Sequence, residues 1–365
     1  MCHLEPTKGI FVVCLGLSVM VCSLIYLSAD EPAQPKPRPE CRPFVPQCQP
    51  FLLGYHSGLR WHRQNCQVDQ YITNNTLDCS KLISDLNFIT VPLSKEEEDY
   101  PLAFILTIHK DLDLFIRLLR AIYMPQNVYC IHTDAKAPLE YQASVHKLAS
   151  CFDNVFQDFP IMSNLEIVRY MQSETWKDKN MNSRDQTTGE VIGGSVRRLE
   201  RKKGPPPRRM QLYFGTAYYA LTREFVDFVL TSPVAQELLV WSRDTYSPDE
   251  HFWVTLNHIE DAPGSFLTGE WEGGIRAIKW SDQEGSVHDG CKGQYVRDIC
   301  VYGIDDLPWL FEHDSMFANK FDSGLYPEAL DCMEQWHRNK VLMQAAVAVD
   351  ASWLIAIPHS NSTDL

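Results

Sequence analysis

The longest apolar run of the chain is Ile10–Leu27, eighteen residues without a charge. This length is near the lower limit for a membrane-spanning helix and exceeds the hydrophobic core of most signal peptides. Lys8 precedes the run and acidic residues follow it, which favours a cytoplasmic N-terminus. The pattern predicts a type II signal anchor at residues 10–27 behind a cytoplasmic tail at residues 1–9. The alternative is a signal peptide cleaved near Ala29.

The strongest pattern downstream alternates between strand and helix. An apolar run at 102–108 is followed by helical spacing at 112–123 and a second apolar run at 127–132. Strand, helix and strand in about 30 residues predict a βαβ unit and a parallel sheet. Polar residues follow both strands, at 107–110 and 132–136, where open α/β sheets bind ligands. The alternative is that these residues only end the strands.

Residues 28–60 contain seven of the 22 prolines and few large apolar side chains. Such a segment is typical of an extended stem that packs against nothing. We therefore expect a stem and lead-in at 28–100, a globular domain at 101–340 and a polar tail at 341–365.

Within the globular domain, the pattern predicts a helix at 141–150, a strand at 212–221 and a helix beginning at Arg223. Residues 170–210 are polar and end in a basic run from Arg197 to Arg209. A run of like charge usually forms a solvated, mobile loop. Binding to an acidic acceptor is the alternative for this run.

Composition narrows the function classes. The chain is 45% hydrophobic and 22% charged, with a formal net charge of −14 and a pI near 5.3. This is a globular composition, and its acidity argues against a nucleic-acid partner. Two N-glycosylation acceptor sequences, at Asn74 and Asn361, gain weight from the predicted lumenal location.

The twelve cysteines indicate an oxidising compartment. None lies in a CxxC spacing and the chain has no HExxH, so a zinc site has little support. Scattered cysteines behind an apolar N-terminal run are typical of disulfides formed in a lumen. Nine follow the predicted anchor, an odd number, so at least one thiol is unpaired or bonded to another chain. A disulfide-linked dimer is therefore possible.

Candidate chemistry lies at Pro248-Asp249-Glu250. Proline at a first helical position, acids in the first turn and apolar residues beyond predict a helix start. A carboxylate there is favoured in its ionised form by the helix dipole, and an ionised, positioned carboxylate can act as a general base. The alternative is that both acids only complement the dipole. Asp111 and Asp113 match a metal-binding DxD pattern, but their place predicts helix-start residues.

Six ordered stretches resemble one family, the core 2 and I-branching β-1,6-N-acetylglucosaminyltransferases. They are residues 118–138, 158–169, 214–226, 244–256, 291–303 and 317–322. The pattern around Trp280 and Cys291 is most similar to that of the family's seventh member. The resemblance implies an α/β, GT-A-like glycosyltransferase domain behind a signal anchor in the Golgi membrane. It also implies inverting transfer of GlcNAc from UDP-GlcNAc to the 6-hydroxyl of a glycoprotein O-glycan, without a metal or other cofactor.

The resemblance assigns roles to individual residues. Glu250 matches the catalytic base, Arg297 and Lys320 match the cations that hold the UDP diphosphate, and Trp280 matches an aromatic that packs on the acceptor sugar. The positions that match the wall of the UDP pocket are Thr107, Ile108, His109, Asp134, Ala135 and Lys136. The disulfides implied are Cys79 with Cys151, Cys291 with Cys300, and Cys332 with Cys66 as the expected N-terminal partner.

The chain departs from the family between Phe156 and Asp158. Family members have a further stretch there, roughly forty residues, enough for a helix and a strand between sheet elements. That stretch contains the partner of the cysteine that matches Cys130, so we expect Cys130 to be an unpaired thiol. The alternative function is therefore a catalytically inactive Golgi isoform or paralogue with a binding or regulatory role. The family's acceptor-binding Lys/Arg segment has no clear match in residues 170–203, which leaves the acceptor open.

Overall fold

The computed structural model describes residues 48, 72, 78–152, 159–172, 187–192, 195–263 and 275–353. All of these belong to one unit, Pro43–Leu365. The predicted anchor and the acceptor sequences at Asn74 and Asn361 lie outside the described residues. Within the described ranges, no helix has the length and apolar character needed to cross a membrane.

A parallel βαβ unit begins the sheet structure, as the sequence predicts. Strand β1 (Ala103–Ile108) pairs in parallel with β2 (Val128–Thr133), and α3 (Leu112–Ile122) connects them. Asp111 caps α3 by accepting from the Leu114 amide at 3.0 Å, so the helix-start prediction is confirmed.

Two helices before this unit extend the packed region. They are α1 (Cys79–Asp85) and α2 (Lys95–Asp99). Leu82, Leu86 and Phe88 are buried in the same core cluster as the apolar face of α3. The packed region thus begins before residue 101, because the predicted lead-in supplies large apolar side chains that cover α3.

The helix predicted at 141–150 is α4 (Leu139–Ala149), which packs Val145 and Leu148 into the same core cluster. Its C-terminal end adjoins Cys151, which is bonded to Cys79. This disulfide, implied by the resemblance, joins α1 to the end of α4.

The opposite face of the β1–β2 sheet is open. Ile105 is 76% exposed and Val128 is 55% exposed, whereas Tyr129 on the other face is fully buried. Cys130, which pairs in register with Ile105, is a free, exposed thiol as expected. Apolar strand residues on an exposed face are what remains when a sheet lacks the element that would cover it.

A second core forms around a three-stranded sheet. Its strands, in the order β3–β9–β6, are β3 (Phe159–Pro160), β6 (Arg276–Ala277) and β9 (Phe317–Ala318). The long helix α10 (Pro327–Met343) packs on this core together with α9 (Leu307–Phe311).

Helices α10 and α3 are joined by buried charges. Arg120 donates to Glu334 at 2.8 Å, and Arg117 donates to Asp331 at 2.6 Å. Because both Arg120 and Glu334 are buried, each charge depends on the other for stabilisation.

Cys332 in α10 is bonded to Cys48, so the expected pairing with Cys66 is wrong. Cys48 is fully buried within the predicted stem, which shows that this part of the stem packs against the second core.

A third core carries the segment around Glu250. It consists of α6 (Arg223–Thr231), α7 (Pro233–Ser242) and α8 (Phe252–Asn257). The strand predicted at 212–221 is wrong. The backbone there is irregular, and it bonds to the Glu250 carbonyl and the Thr255 hydroxyl.

The basic run is part of an antiparallel hairpin. Strand β4 (Thr187–Ile192) pairs with β5 (Ser195–Lys202), so the prediction of a mobile loop at Arg197–Lys202 is wrong. Helix α5 (Asn164–Gln172) precedes it.

The chain end also packs further than predicted. Val341, Leu342 and Trp353 are buried against Ile89 and Leu93, so ordered structure continues beyond residue 340 to residue 353.

Candidate functional site

Glu250 lies in a single 3-10 turn, Pro248–Glu250, directly before α8. Proline occupies the first helical position as predicted. Ser247 precedes it with a φ of 46°, in the left-handed region that non-glycine residues rarely adopt. Backbone strain of this kind is common at functional sites.

His251 anchors the turn from its C-terminal side. Its ring is fully buried, and Nε2 lies 3.0 Å from the Ser242 hydroxyl. Burial lowers the pKa of His251 to about 4, so the ring is neutral near pH 7. The neighbour of Glu250 is therefore a fixed, uncharged residue. No motif in the sequence indicates this role of His251.

The segment 212–221 braces the same turn. The Gly215 amide donates to the Glu250 carbonyl at 2.7 Å, and the Tyr213 amide donates to the Thr255 hydroxyl at 3.0 Å. Tyr219 packs on Trp253 with ring centroids 4.4 Å apart. Backbone and side-chain contacts on two sides hold the Glu250 backbone in one position.

The residues that match the UDP pocket meet at the C-terminal edge of the β1–β2 sheet. The Asp134 amide donates to the Ile108 carbonyl at 2.8 Å, and the Lys136 amide donates to Asp134 Oδ1 at 2.9 Å. Ile108 is buried, while the flanking residues Thr107 and His109 are exposed, as are Ala135 and Lys136. The structure thus places the two predicted stretches side by side.

Arg297 lies in the tight turn between β7 (Gln294–Val296) and β8 (Ile299–Val301). Both turn residues, Arg297 and Asp298, have positive φ, at 54° and 64°. This backbone normally favours glycine or asparagine, so the turn keeps an exposed arginine at a strained position.

Lys320 lies against the same turn and donates to the Val296 carbonyl at 3.0 Å. Burial and the charges of Arg297 and Lys110 lower the pKa of Lys320. The positive charges of Lys320, Arg297 and Lys110 repel one another, which favours the binding of an anionic ligand. Lys110 was not among the predicted site residues, although it directly follows His109 at the strand end.

The edge of the sheet and the Lys320 loop are joined directly. The Ser323 hydroxyl donates to Asp111 Oδ2 at 2.7 Å, which ties the start of α3 to the segment after Lys320. The sheet edge and the cations therefore form one cluster.

Trp280 adjoins this cluster and is 38% exposed. It bridges to Ile299, and its carbonyl accepts from His288 Nε2 at 2.8 Å. The preceding residue, Lys279, is fully buried and donates to Asp306 at 2.9 Å. The buried Lys279–Asp306 ion pair thus supports both the loop that contains Trp280 and the hairpin that contains Arg297.

A cation–π contact connects the Glu250 region with the cation cluster. The Arg276 guanidinium lies 3.4 Å from the centroid of Tyr218, in the segment that braces Glu250. Arg276 belongs to β6, where the next residue, Ala277, accepts from the amide of Asn319 beside Lys320. The candidate base and the cations are therefore parts of one connected structure.

In the described ranges, one group of three ligand-type side chains converges, at Cys291, Cys300 and Asp306. The two sulfurs are joined in the disulfide that the resemblance implies, and Asp306 accepts from Lys279. Asp111 and Asp113 are engaged with Ser323 and Arg117. These contacts give the carboxylates structural roles.

A model of the Core-2/I-Branching enzyme family matches residues 102–157 and 157–311. The human "Probable beta-1,3-galactosyl-O-glycosyl-glycoprotein beta-1,6-N-acetylglucosaminyltransferase 7" is 40% identical over 426 aligned residues, covering 97% of each chain. The human "N-acetyllactosaminide beta-1,6-N-acetylglucosaminyl-transferase" is 41% identical over 336 residues, 76% of this chain and 83% of that protein. A human "Beta-1,3-galactosyl-O-glycosyl-glycoprotein beta-1,6-N-acetylglucosaminyltransferase" is 35% identical over 343 residues, covering 75% and 78%.

Two of these findings bear on the departure after Phe156. The two matched blocks meet at residue 157. The alignment of 426 positions is longer than this 365-residue chain, so that relative has residues without a counterpart here. Both agree with the open face of the β1–β2 sheet.

Proposed function

Because the chain belongs to the core-2/I-branching enzyme family, we propose that it transfers GlcNAc from UDP-GlcNAc to the 6-hydroxyl of a glycoprotein O-glycan, with inversion. The family match and the relatives' names support GlcNAc transfer in a β-1,6 linkage. The observation that carries the assignment of the base is the fixed turn at Glu250, braced by His251 and Gly215.

Glu250 removes the proton from the acceptor 6-hydroxyl in this proposal. That oxygen then attacks the anomeric carbon from the face opposite the UDP, and the bond to UDP breaks. Single displacement of this kind inverts the anomeric configuration. A held carboxylate within hydrogen-bond reach of the hydroxyl supplies the general-base contribution.

The leaving diphosphate gains negative charge as the bond breaks. Arg297 and Lys320 hold it, and Lys110 adds a third positive charge close to Lys320. Fixed cations stabilise developing charge without a metal. The residues at the sheet edge, Thr107–His109 and Asp134–Lys136, would contact the uridine, and Trp280 would pack on the acceptor sugar.

The proposal includes a GT-A-like domain in the Golgi lumen, held by a type II signal anchor at residues 10–27. Three disulfides in the described residues support an oxidising lumen. Protease protection of microsomes from cells that express the full chain tests this arrangement. Cleavage near residue 353 by a protease added outside intact microsomes would refute it.

The reaction is tested with the full-length protein in detergent, UDP-GlcNAc, a Galβ1-3GalNAc acceptor and EDTA. We expect product from the wild type and a loss of about 10²–10⁴-fold in kcat for Glu250→Gln, as for removal of a general base. Asp249→Asn is the matched control, since Asp249 is an exposed acid in the same turn. Equal activity of Glu250→Gln and wild type would refute the assignment of the base. Activity that EDTA abolishes would refute metal independence.

A further inference from the structure

The basic run is the most uneven charge distribution in the chain. Residues 197–209 contain seven of the 33 lysines and arginines and a single acid, in a chain of net charge −14. The hairpin strands β4 and β5 place much of this run in ordered structure. We call the described residues 187–192 and 195–203 the basic hairpin.

The basic hairpin is docked onto the segment that leads into the Glu250 turn. The Gly189 amide donates to the Asp244 carbonyl at 3.0 Å, and the Tyr246 amide donates to the Thr187 carbonyl at 3.0 Å. Thr188 forms an isolated antiparallel bridge with Thr245. Residues 244–246 thus act as an added strand, and Tyr246 is four residues before Glu250.

Side chains strengthen this junction. Arg198 lies 5.5 Å from the Tyr246 ring centroid and donates to Thr187 at 2.8 Å. Lys203 bonds to Asp244 and lies 5.0 Å from the Trp241 ring centroid. The charge of Lys203 also contributes to the lowered pKa of His251, the residue after Glu250. The hairpin's charge therefore reaches the proposed catalytic turn.

The basic hairpin carries more positive than negative side chains. The hairpin has five cations against two acids, Glu190 and Glu200, and Glu190 stands opposite Arg197 in the strand register. Arg197 and Arg201 are both exposed. Burial and the charge of Arg201 both lower the pKa of Lys203. An excess of cations over acids on a docked hairpin favours an anion.

We propose that the basic hairpin binds an anionic group, a carboxylate or sulfate, on the acceptor glycoprotein and so selects acidic acceptors. This inference rests on the proposed transfer reaction and specifies its acceptor. A molecule of net charge −14 repels an acidic acceptor at long range. A local cationic surface beside the catalytic turn reverses that repulsion where the acceptor must approach.

The test compares three acceptors with one O-glycan. The first is on a neutral peptide, the second is on a peptide with flanking Asp and Glu, and the third has a sulfated sugar on the neutral peptide. The variant is Arg197→Gln with Arg201→Gln. The control is Lys81→Gln with Lys95→Gln, which removes the same charge from exposed positions on α1 and α2.

We expect the hairpin variant to raise KM for an acidic acceptor about tenfold, as for two exposed charge contacts, and to leave kcat and the neutral acceptor unchanged. The acidic preference should also decrease with added salt, which screens exposed charges. Whichever acidic acceptor shows the effect identifies the source of the anion, peptide or glycan. Equal KM changes in the hairpin and control variants would overturn the proposal.

Failure of the transfer reaction is distinguishable from failure of this inference. If no acceptor yields product, binding of the acidic and neutral glycopeptides to wild type and variant is measured by fluorescence anisotropy. Arginine-dependent binding of the acidic glycopeptide then supports the inference alone, and its absence overturns it. Arginine-dependent binding to phosphatidylserine vesicles without any effect on glycopeptide binding would assign the surface to a membrane and also overturn it.

Discussion

Mild acid should destabilise this protein through two buried histidines. Burial lowers the pKa of His251 and of His337 from 6.5 to about 4. Both pKa values are lower in the folded than in the unfolded state. Between about pH 6.5 and 4 the unfolded chain therefore holds more protons, and the free energy of unfolding falls as the pH falls.

The magnitude follows from the two pKa values. At pH 5 an unfolded histidine is almost fully protonated and the buried one is mostly neutral, which gives a loss of about 2 kcal/mol for each. The two histidines together give about 4 kcal/mol, a large part of a stability of about 5–15 kcal/mol. A paired carboxylate such as Glu166, whose pKa is lowered from 4.5, contributes its loss only below that pH. The decrease in the free energy of unfolding between pH 6.5 and 5 is thus due to the histidines.

Urea unfolding of the full-length protein at pH 7.5 and pH 5 measures this effect. We expect His251→Gln and His337→Gln each to reduce the acid-induced loss by about 2 kcal/mol, although each variant is less stable at pH 7.5. His146→Gln, at an exposed position on α4, should leave the loss unchanged. The reasoning is refuted if the variant with both substitutions loses as much stability at pH 5 as the wild type.

Three further outcomes follow from the contacts. Asp306→Asn removes the buried carboxylate from the Lys279 ammonium, which then keeps the mostly exposed Asp289 as its ionic partner. This should destabilise the fold by about 3–5 kcal/mol in urea unfolding, and a loss below about 1 kcal/mol would contradict the prediction. Cys48→Ser should lower the free energy of unfolding by about 2–5 kcal/mol, and Cys332→Ser by the same amount, because either variant removes the same bond. UDP affinity should decrease as the pH rises through the lowered pKa of Lys320, below its ordinary 10.5, and calorimetry that shows constant affinity up to that pH would contradict the role of its charge.

The parts of the fold that the sequence predicts well are those with a sustained hydrophobic period. The β1–α3–β2 unit lies within a residue or so of its predicted bounds, because short apolar runs indicate strands and helical spacing indicates a helix. The segment 212–221 has an equally apolar sequence, yet its backbone partners are Glu250 and Thr255. Which partner a backbone finds depends on tertiary structure, which a local pattern does not contain.

The charged sequence of the basic hairpin does not indicate that it contains a strand. A run such as Arg197–Lys203 has no apolar alternation, so it indicates a solvated loop. It forms a strand because β4 supplies its backbone partners, and β4 in turn bonds to residues 244–246. Disulfide partners are equally hidden, since cysteine spacing alone allows many pairings, and Cys332 bonds to Cys48 rather than Cys66.

The residues of the candidate site also fall into two groups, those that the sequence identifies and those that only the structure identifies. Glu250, Arg297 and Lys320 stand in recognisable motifs, so their positions could be named from the sequence. The support given by His251 and the field contributed by Lys110 depend on burial and on neighbours distant in the chain. Residues that tune a site through their surroundings have no motif of their own.

The bond between Cys48 and Cys332 also imposes an order on biosynthesis. Its two cysteines are separated by 284 residues, so the first emerges from the ribosome long before its partner exists. At about 5–20 residues per second, that interval lasts roughly 15–60 s. The N-terminal thiol must remain reduced, or be exchanged, throughout elongation. A chain that terminates before residue 332 leaves the second core unclosed, and its unpaired Cys48 distinguishes it from a finished molecule.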